Sequence, residues 1–544
     1  MSRLVLGPLL RHVGERTATI WVETDRPCEV RVTCDGSAPD ATARTFTLHD
    51  HHYALVEVEG LEPGSATPYR VSLDDETVWP EPGSPFPDSR LRTLGGQGTP
   101  LRLTFGSCRV APASIESHGI DALSAFAHQL AAGPAAGATG EAESPGAWPS
   151  VLLMLGDQVY ADSTGQRMRD FIRGRRDLDA EPYDEIADFE EYTELYRLAW
   201  GEDPAVRWLL STLPTLTIFD DHDIRDDWNT SYAWRQQIWA QPWWRRRIVG
   251  GIGSYWVYQH LGNLSPSDRA ADPLYATVRE GTGDAGKAVD EFAERADKEP
   301  ASTRWSYAHD FGGTRLIVID SRCSRLLTAD RRAMLDDEEQ AWFDAQCTGG
   351  VDHLLIASSL PYLLPPAIHH AESWNEAVAG GAWGRRGAAF GEKVRQAADL
   401  EHWAAFENSF RTVAEAVSAV ARGERGTAPA TIAFLSGDVH YSYLAKVRGL
   451  PIYQVVCSPM RNPLVGFFRW ANVMASWRAV AAPVRLLAKL ARVPRPALSW
   501  RLTQRPTFDN ALATVWIDGR HNSVHWNTSD TETTMSEVGK ATLA

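Results

Sequence analysis

Thr217-Ile218-Phe219-Asp220-Asp221-His222-Asp223 joins an apolar, β-branched run to four ionisable side chains without a break. Thr215–Phe219 reads as a short buried strand. The acid and imidazole groups at its end cannot all be buried unpaired, because an isolated charge in the interior is strongly disfavoured. A metal ion at the strand's carboxyl end is one way to neutralise them. A salt-bridged or solvated turn is the other. The stretch alone leaves both open.

Working outward, the same pattern recurs. Leu101–Phe105 runs into Gly106-Ser107-Cys108, and Val151–Leu155 into Gly156-Asp157-Gln158-Val159-Tyr160. Thr431–Leu435 runs into Ser436-Gly437-Asp438-Val439-His440. Further strand-like runs at Leu316–Ile319, Leu354–Ala357, Ile452–Val456 and Thr514–Ile517 alternate with longer segments, the signature of an α/β sheet. Ligands gather at the carboxyl ends of strands in such sheets. Small residues (Gly106, Gly156, Gly437) stand where the backbone would turn sharply beside a ligand.

Each polar residue also has an ordinary explanation. Cys108 suits a buried small hydrophobe, Tyr160 a core tyrosine, His440 a satisfied sheet-edge histidine, and Asp157 and Asp438 helix caps. Their matching places in the strand pattern predict one convergent cluster instead. Carboxylate and phenolate oxygens with a thiolate and an imidazole suit a trivalent iron better than a structural zinc. The remaining carboxylates leave charge for a second, oxygen-loving divalent ion. Two ions ~3.5–4 Å apart can bind a phosphoryl group, create a hydroxide nucleophile and stabilise the leaving oxygen.

The 544 residues exceed one ordinary core, so two or more units are expected. Hydrophobic content of 44% and charged content of 23% fit a globular protein, and a net charge of −16 argues against binding nucleic-acid duplexes. Six scattered cysteines without a CxxC pair predict no disulfide framework and suit a reducing compartment. With no signal-peptide pattern or long apolar run, the expected location is cytoplasmic. Residues 1–94 read as a small all-β sandwich, from the alternation of Ala18, Ile20 and Val22 and of Val30 and Val32. Gly60–Tyr69 is similar to the tyrosine-corner turn of fibronectin-type modules. Residues 95–100 form a linker and 101–544 the catalytic unit. Within the latter, Ala131–Ser150 is expected to be a loop and Asp177–Tyr196 a solvated acidic helix. Asn263–Ser302 is expected to be an irregular surface insertion, and Leu400–Val420 an amphipathic helix.

The order Gly-Ser-Cys, Gly-Asp-x-x-Tyr, Asp-Asp-His-Asp, Gly-Asp-x-His resembles the PhoD-like (alkaline phosphatase D) branch of the calcineurin-like metallophosphatases. The resemblance runs over roughly residues 1–460 and resumes near the last strands. It implies a two-sheet αββα sandwich behind a small fibronectin-like β domain. It also implies hydrolysis of small phosphate esters by a metal-bound hydroxide. By the same resemblance, Cys108 and Tyr160 would be ligands of Fe3+, and Asp157 would lie between or beside the metals. Asp221 would bind a second divalent ion, Ca2+ first and Mn2+ or Zn2+ as alternatives. Asp438 and His440 would complete the metal shell. His222 would stabilise the transition state or protonate the leaving group, with Asp223 orienting it. Asn229 would contact substrate, and Asp220 would stand outside the metal shell. Two departures stand out: no twin-arginine signal, and Ser358-Ser359 where the wider superfamily has a histidine after a strand. The rival readings are a phospholipase D-like diesterase acting on phospholipid headgroups and a non-catalytic protein that keeps the metallophosphatase frame.

Between Asp438 and Asp509 the chain has no carboxylate and eleven Lys/Arg. Within this interval, 463–506 is expected to be a basic amphipathic segment, whose residues 467–492 read as two amphipathic helices broken near Pro483. Three roles compete: a brace against the acidic surface of the same protein, a positive wall for anionic substrates, or a peripheral membrane contact.

Overall fold

The structure, a computed structural model, describes all residues except 37, 112–115, 134–147, 282, 465, 467–468, 470–473 and 475–477. The N-terminal alternation folds as read, into two facing sheets. One has the order Leu4–Val13, Ala18–Thr24, His51–Val58, Phe46–Leu48. The other has the order Ala41–Arg44, Glu29–Cys34, Ala66–Leu73, Glu76–Trp79, with Arg90–Arg92 pairing beside Ala66–Leu73. Inward residues such as Ile20, Val22, Val30, Val32 and Val71 fill the space between them. The opposite face of the first sheet is apolar as well. Its Leu9, Trp21 and Leu55 join the core of the following α/β unit. The Trp21 indole donates to the Val257 carbonyl (2.9 Å). Tyr69 departs from a tyrosine corner, which bonds back to its own module. Its hydroxyl donates across the boundary to the Ser211 carbonyl (2.7 Å).

The remaining strands form two stacked mixed sheets, the α/β sandwich expected. The first has the order Thr215–Ile218, Val151–Leu155, Leu101–Gly106, Ala511–Asp518, His521–Thr531, Thr534–Thr542. The second runs Tyr307–Phe311, Thr314–Ile319, His353–Ser358, Thr431–Ser436, Ile452–Val456, Tyr443–Val447, Trp500–Leu502. Side chains alternate across each sheet. Val318, Leu355 and Leu435 pack toward Phe105 and Leu153 of the first sheet. Ile317, Ile356 and Phe434 point outward to Phe410, Val413 and Val417 of the helix Glu407–Ala421. Parallel pairing of Gly106 with Met154 and of Leu155 with Ile218 brings three strand ends level. Within the second sheet, the Gly437 amide donates to the Ser359 carbonyl at the neighbouring strand end (2.9 Å), and across the sandwich the Asp438 amide donates to the Ser107 hydroxyl (3.1 Å). The carboxyl ends of both sheets therefore meet at one place.

Four expectations change. Asp177–Tyr196 is helical only over Phe189–Tyr196, which is largely buried rather than solvated. Asn263–Ser302 is not irregular: it contains the helices Pro266–Ala271, Pro273–Glu280 and Gly286–Lys298, the last burying Val289, Ala293 and Ala296. The helix predicted from Leu400 starts at Glu407, after a short turn at Trp403–Ala405. In the basic stretch, one helix, Arg478–Leu490, continues through Pro483 instead of breaking there. Most of Ala131–Ser150, and of the basic stretch before residue 478, lies outside the described residues. Among the described residues, no helix is long and apolar enough to cross a membrane.

Candidate active site

The strand ends turn so abruptly that their polar residues take left-handed backbone angles. φ is +56° at Cys108, +53° at Asp157, +65° at Asp438 and +57° at His440, and, away from any strand end, +61° at Asn229. This region is unfavourable for side chains with a Cβ and concentrates at functional sites. Here each turn aims a polar side chain into the gap between the two sheets. Gly437 permits the approach, because a Cβ there would collide with the Ser107 side chain.

Three overlapping sets of side chains place possible ligand atoms within 4.8 Å of one another: Cys108, Asp157 and His440; Asp157, Asp221 and His222; and Asp220, Asp221 and Asp438. The sets share Asp157 and Asp221. The Tyr160 hydroxyl lies 3.4 Å from Asp157 Oδ2 and accepts from Asn462 Nδ2 at 3.0 Å. Asp157 Oδ1 and Asp220 Oδ2 are buried acceptors with no hydrogen-bond partner among the described residues. Unsatisfied buried carboxylate oxygens are costly. Beside a thiol, a phenol and an imidazole, they fit a metal centre of mixed oxygen, sulfur and nitrogen donors.

The charge inside the cluster is partly balanced by the chain itself. Arg322 is fully buried and pairs with Asp220, with Glu401 (2.6 Å) and with Asp221 (3.2 Å). Burial works against its guanidinium, but these carboxylates outweigh burial and keep it charged. Burial likewise opposes ionised Glu401, yet Arg322 and Arg325 hold its carboxyl far below the usual range. His402 joins Asp438 (2.9 Å) to Glu372 (2.7 Å). Burial disfavours its imidazolium, and those two carboxylates more than compensate. Among the described residues, His440 has no carboxylate hydrogen bond; burial outweighs the nearby Asp438 charge and pushes its pKa down to about 4, leaving a neutral ring able to ligate. Burial, then Asp157, raises both the Cys108 thiol and the Tyr160 phenol. Both would release protons on taking up a metal.

His222 stands at the rim, with a quarter of its side chain exposed. Its ring stacks on Tyr160 with centroids 4.6 Å apart. Burial disfavours its charged form, but Asp162, Asp221 and Asp157 prevail and raise its pKa well above the ordinary value.

The expected residues thus come together around one gap, with changes of role. Asp223 does not orient His222; Asp162 does, 2.9 Å from Nδ1. Asp223 points the other way and accepts from the amides of Asp157 (2.9 Å), Gln158 (3.2 Å), Val159 (3.3 Å) and Asp220 (2.9 Å). It ties two strand-end turns together. Asp220, expected outside the metal shell, belongs to one of the three ligand sets. Asn229 is buried and donates to the Arg322 carbonyl (3.1 Å), while its own Oδ1 has no hydrogen-bond partner among the described residues. Sequence reading passed over Arg322, Glu401, His402, Glu372, Asp162 and Asn462. Arg322 carried the same signal as the others, since Asp320-Ser321-Arg322 follows the strand Thr314–Ile319. Glu401 and His402 lie before a helix, far from any strand end, and carry no such signal.

Comparisons with known proteins agree with this architecture. A domain of unknown function, DUF7800, matches residues 1–91. A solved structure titled "Structure of PhoD" shares 12% identity and a TM-score of 0.59, covering 98% of this chain and 89% of its own, a likeness of fold. A type III pullulan hydrolase from Thermococcus kodakarensis aligns over 97% of this chain and 94% of its own at 11% identity, but its TM-score of 0.14 carries no argument. No curated protein matches the chain. The sequence model of the PhoD-like phosphatases matches residues 141–461, more than half of the chain and three of the four strand-end turns, those of Asp157, Asp221 and Asp438. The chain belongs to the PhoD-like phosphatase family.

Proposed function

We propose that this protein is a metal-dependent hydrolase of small phosphate esters. Family membership supports a phosphoesterase. The observation that carries the mechanism is the trio of ligand sets sharing Asp157 and Asp221, with unpartnered carboxylate oxygens between them. Cys108, Tyr160, Asp157 and His440 would hold Fe3+, because a thiolate and a phenolate favour a trivalent ion. Asp221 and Asp438, sharing Asp157, would hold a divalent ion, Ca2+ by preference for oxygen donors, with Mn2+ or Zn2+ as alternatives. Such ions polarise phosphoryl oxygens and make water a nucleophile near neutral pH.

The chain's own residues do the rest. His222, held by Asp162 and charged, donates a proton at the leaving oxygen from the rim. Asp223 fixes the turns that carry Asp157 and Asp220. The free Oδ1 of Asn229 is a ready acceptor near the carboxylate pool. Six unpaired thiols support a reducing, cytoplasmic setting.

The test is release of p-nitrophenol from p-nitrophenyl phosphate and its bis-ester at alkaline pH, with iron and calcium supplied. Asp157→Ala, Asp221→Ala and His440→Ala should each lose nearly all turnover, and their bound metal should fall when measured by elemental analysis. The iron assignment predicts a visible charge-transfer band that disappears in Tyr160→Phe. A colourless, iron-free enzyme with full activity would reject it. A fully loaded wild type inert to both esters would favour the non-catalytic reading.

A further inference from the structure

The helix Arg478–Leu490 packs on the helix Pro366–Ala379 in an unusual orientation. A surface helix normally turns its large apolar residues inward. Here Ala488 and, just beyond the helix, Ala491 are buried, and Val484 is half-buried. Leu486, Leu487 and Leu490 point out, exposed by 57%, 43% and 63%. Small residues allow the helix to sit close to its neighbour. The leucines are left for something else.

The charges beside them narrow what that is. Arg485, Lys489 and Arg492 are exposed among the leucines, and the segment from 439 to 508 has no acid. This is a cationic, apolar face on a chain of net charge −16. A second copy docking through the same face would set like charges against each other. A neutral protein groove would leave them unused. An anionic bilayer answers both features, because leucines enter the headgroup boundary while Lys and Arg meet lipid phosphates and carboxylates.

We propose that the outer face of Arg478–Leu490 is a peripheral docking surface for anionic lipid membranes. It goes beyond phosphate-ester hydrolysis and does not depend on it. The face is also coupled to the site by position. The helix beneath it carries Glu372, which holds His402 against Asp438, so one helix layer separates a docked bilayer from the carboxylate cluster.

The experiment is flotation of the full-length protein with phosphatidylserine-rich and pure phosphatidylcholine vesicles, at low and high salt. The wild type should float with the former at low salt, float less at high salt, and stay behind with the latter. A basic residue near such a surface contributes about fivefold to binding. Arg485→Gln with Lys489→Gln should therefore weaken partitioning roughly 30-fold. The triple change Leu486→Gln, Leu487→Gln, Leu490→Gln should weaken it more than tenfold, with thermal midpoint and p-nitrophenyl phosphate turnover unchanged. No binding of the wild type to anionic vesicles at low salt overturns the proposal. Undiminished binding of the leucine variant overturns it too. Light scattering that shows a dimer lost in the leucine variant would assign the face to a second copy instead.

Discussion

His222 and Asp162 show how two side chains can be read as a unit. On the proposed mechanism, a charged imidazolium at the rim of a carboxylate pool, held through Nδ1, turns Nε2 to the departing group, with the exposed Asp226 carboxylate 3.9 Å away, beyond hydrogen-bond distance. General acid catalysis contributes about 10²–10⁴ in rate, and most where the leaving group is a poor one. His222→Ala is accordingly expected to lower kcat strongly for alkyl phosphates and much less for p-nitrophenyl phosphate, whose leaving group needs little protonation. Asp162→Asn should act in the same direction with a smaller loss. An equal loss on both substrates would place His222 in binding rather than proton transfer.

The turns after the strands work as a set, and Arg322 is their internal counter-charge. Its guanidinium comes from the turn after Thr314–Ile319 and reaches Asp220 and Asp221 from a neighbouring strand end, with Glu401 from a third segment. Removing one partner of a buried ionic network costs about 3–5 kcal/mol, because the others stay buried and uncompensated. Arg322→Gln should therefore lower the thermal midpoint of the metal-free protein by many degrees. Added divalent cation should restore part of the loss, since it can neutralise the same carboxylates. Arg322→Lys keeps the charge but not the planar fork, and should fall between. A midpoint unchanged in Arg322→Gln would contradict this account.

The β-sandwich and the α/β unit share a core, and one polar contact at their boundary responds to pH. His51 on the strand His51–Val58 bridges Glu23 (3.0 Å) of its own unit and Glu190 (2.8 Å) on the helix Phe189–Tyr196. Burial opposes its charged form, yet the bonds to Glu190 and Glu23 raise its pKa to about 9. A histidine pKa raised on folding stabilises the protein fully below the unfolded value, about 6.5, and that contribution fades as pH rises through the folded value. His51→Ala should lower the thermal midpoint at pH 6, with the difference shrinking toward pH 10. An equal drop at both pH values would mean that packing, not charge, is what His51 contributes.

Much of this was legible along the chain. Strands were visible as apolar runs because burial on both faces leaves little else to place there. The turns that follow them were visible because acids, a thiol and imidazoles in tight succession have few structural uses. Asn263–Ser302 misled because its inward residues, such as Val289 and Ala293, are thinly spaced among charges; a helix edge needs few of them when its neighbour supplies the apolar surface. Four of the strand ends that meet at the site were readable along the chain, since an apolar run followed by ionisable residues is a local pattern; that of Arg322 carried the same pattern and was passed over. The partners came from the folded chain: Asp162 and not Asp223 holds His222, Arg322 and His402 balance the carboxylates, and three leucines of the basic helix face outward. The reason is physical. Electrostatic pairing and burial depend on distances between segments far apart in the chain, and no local pattern encodes those distances.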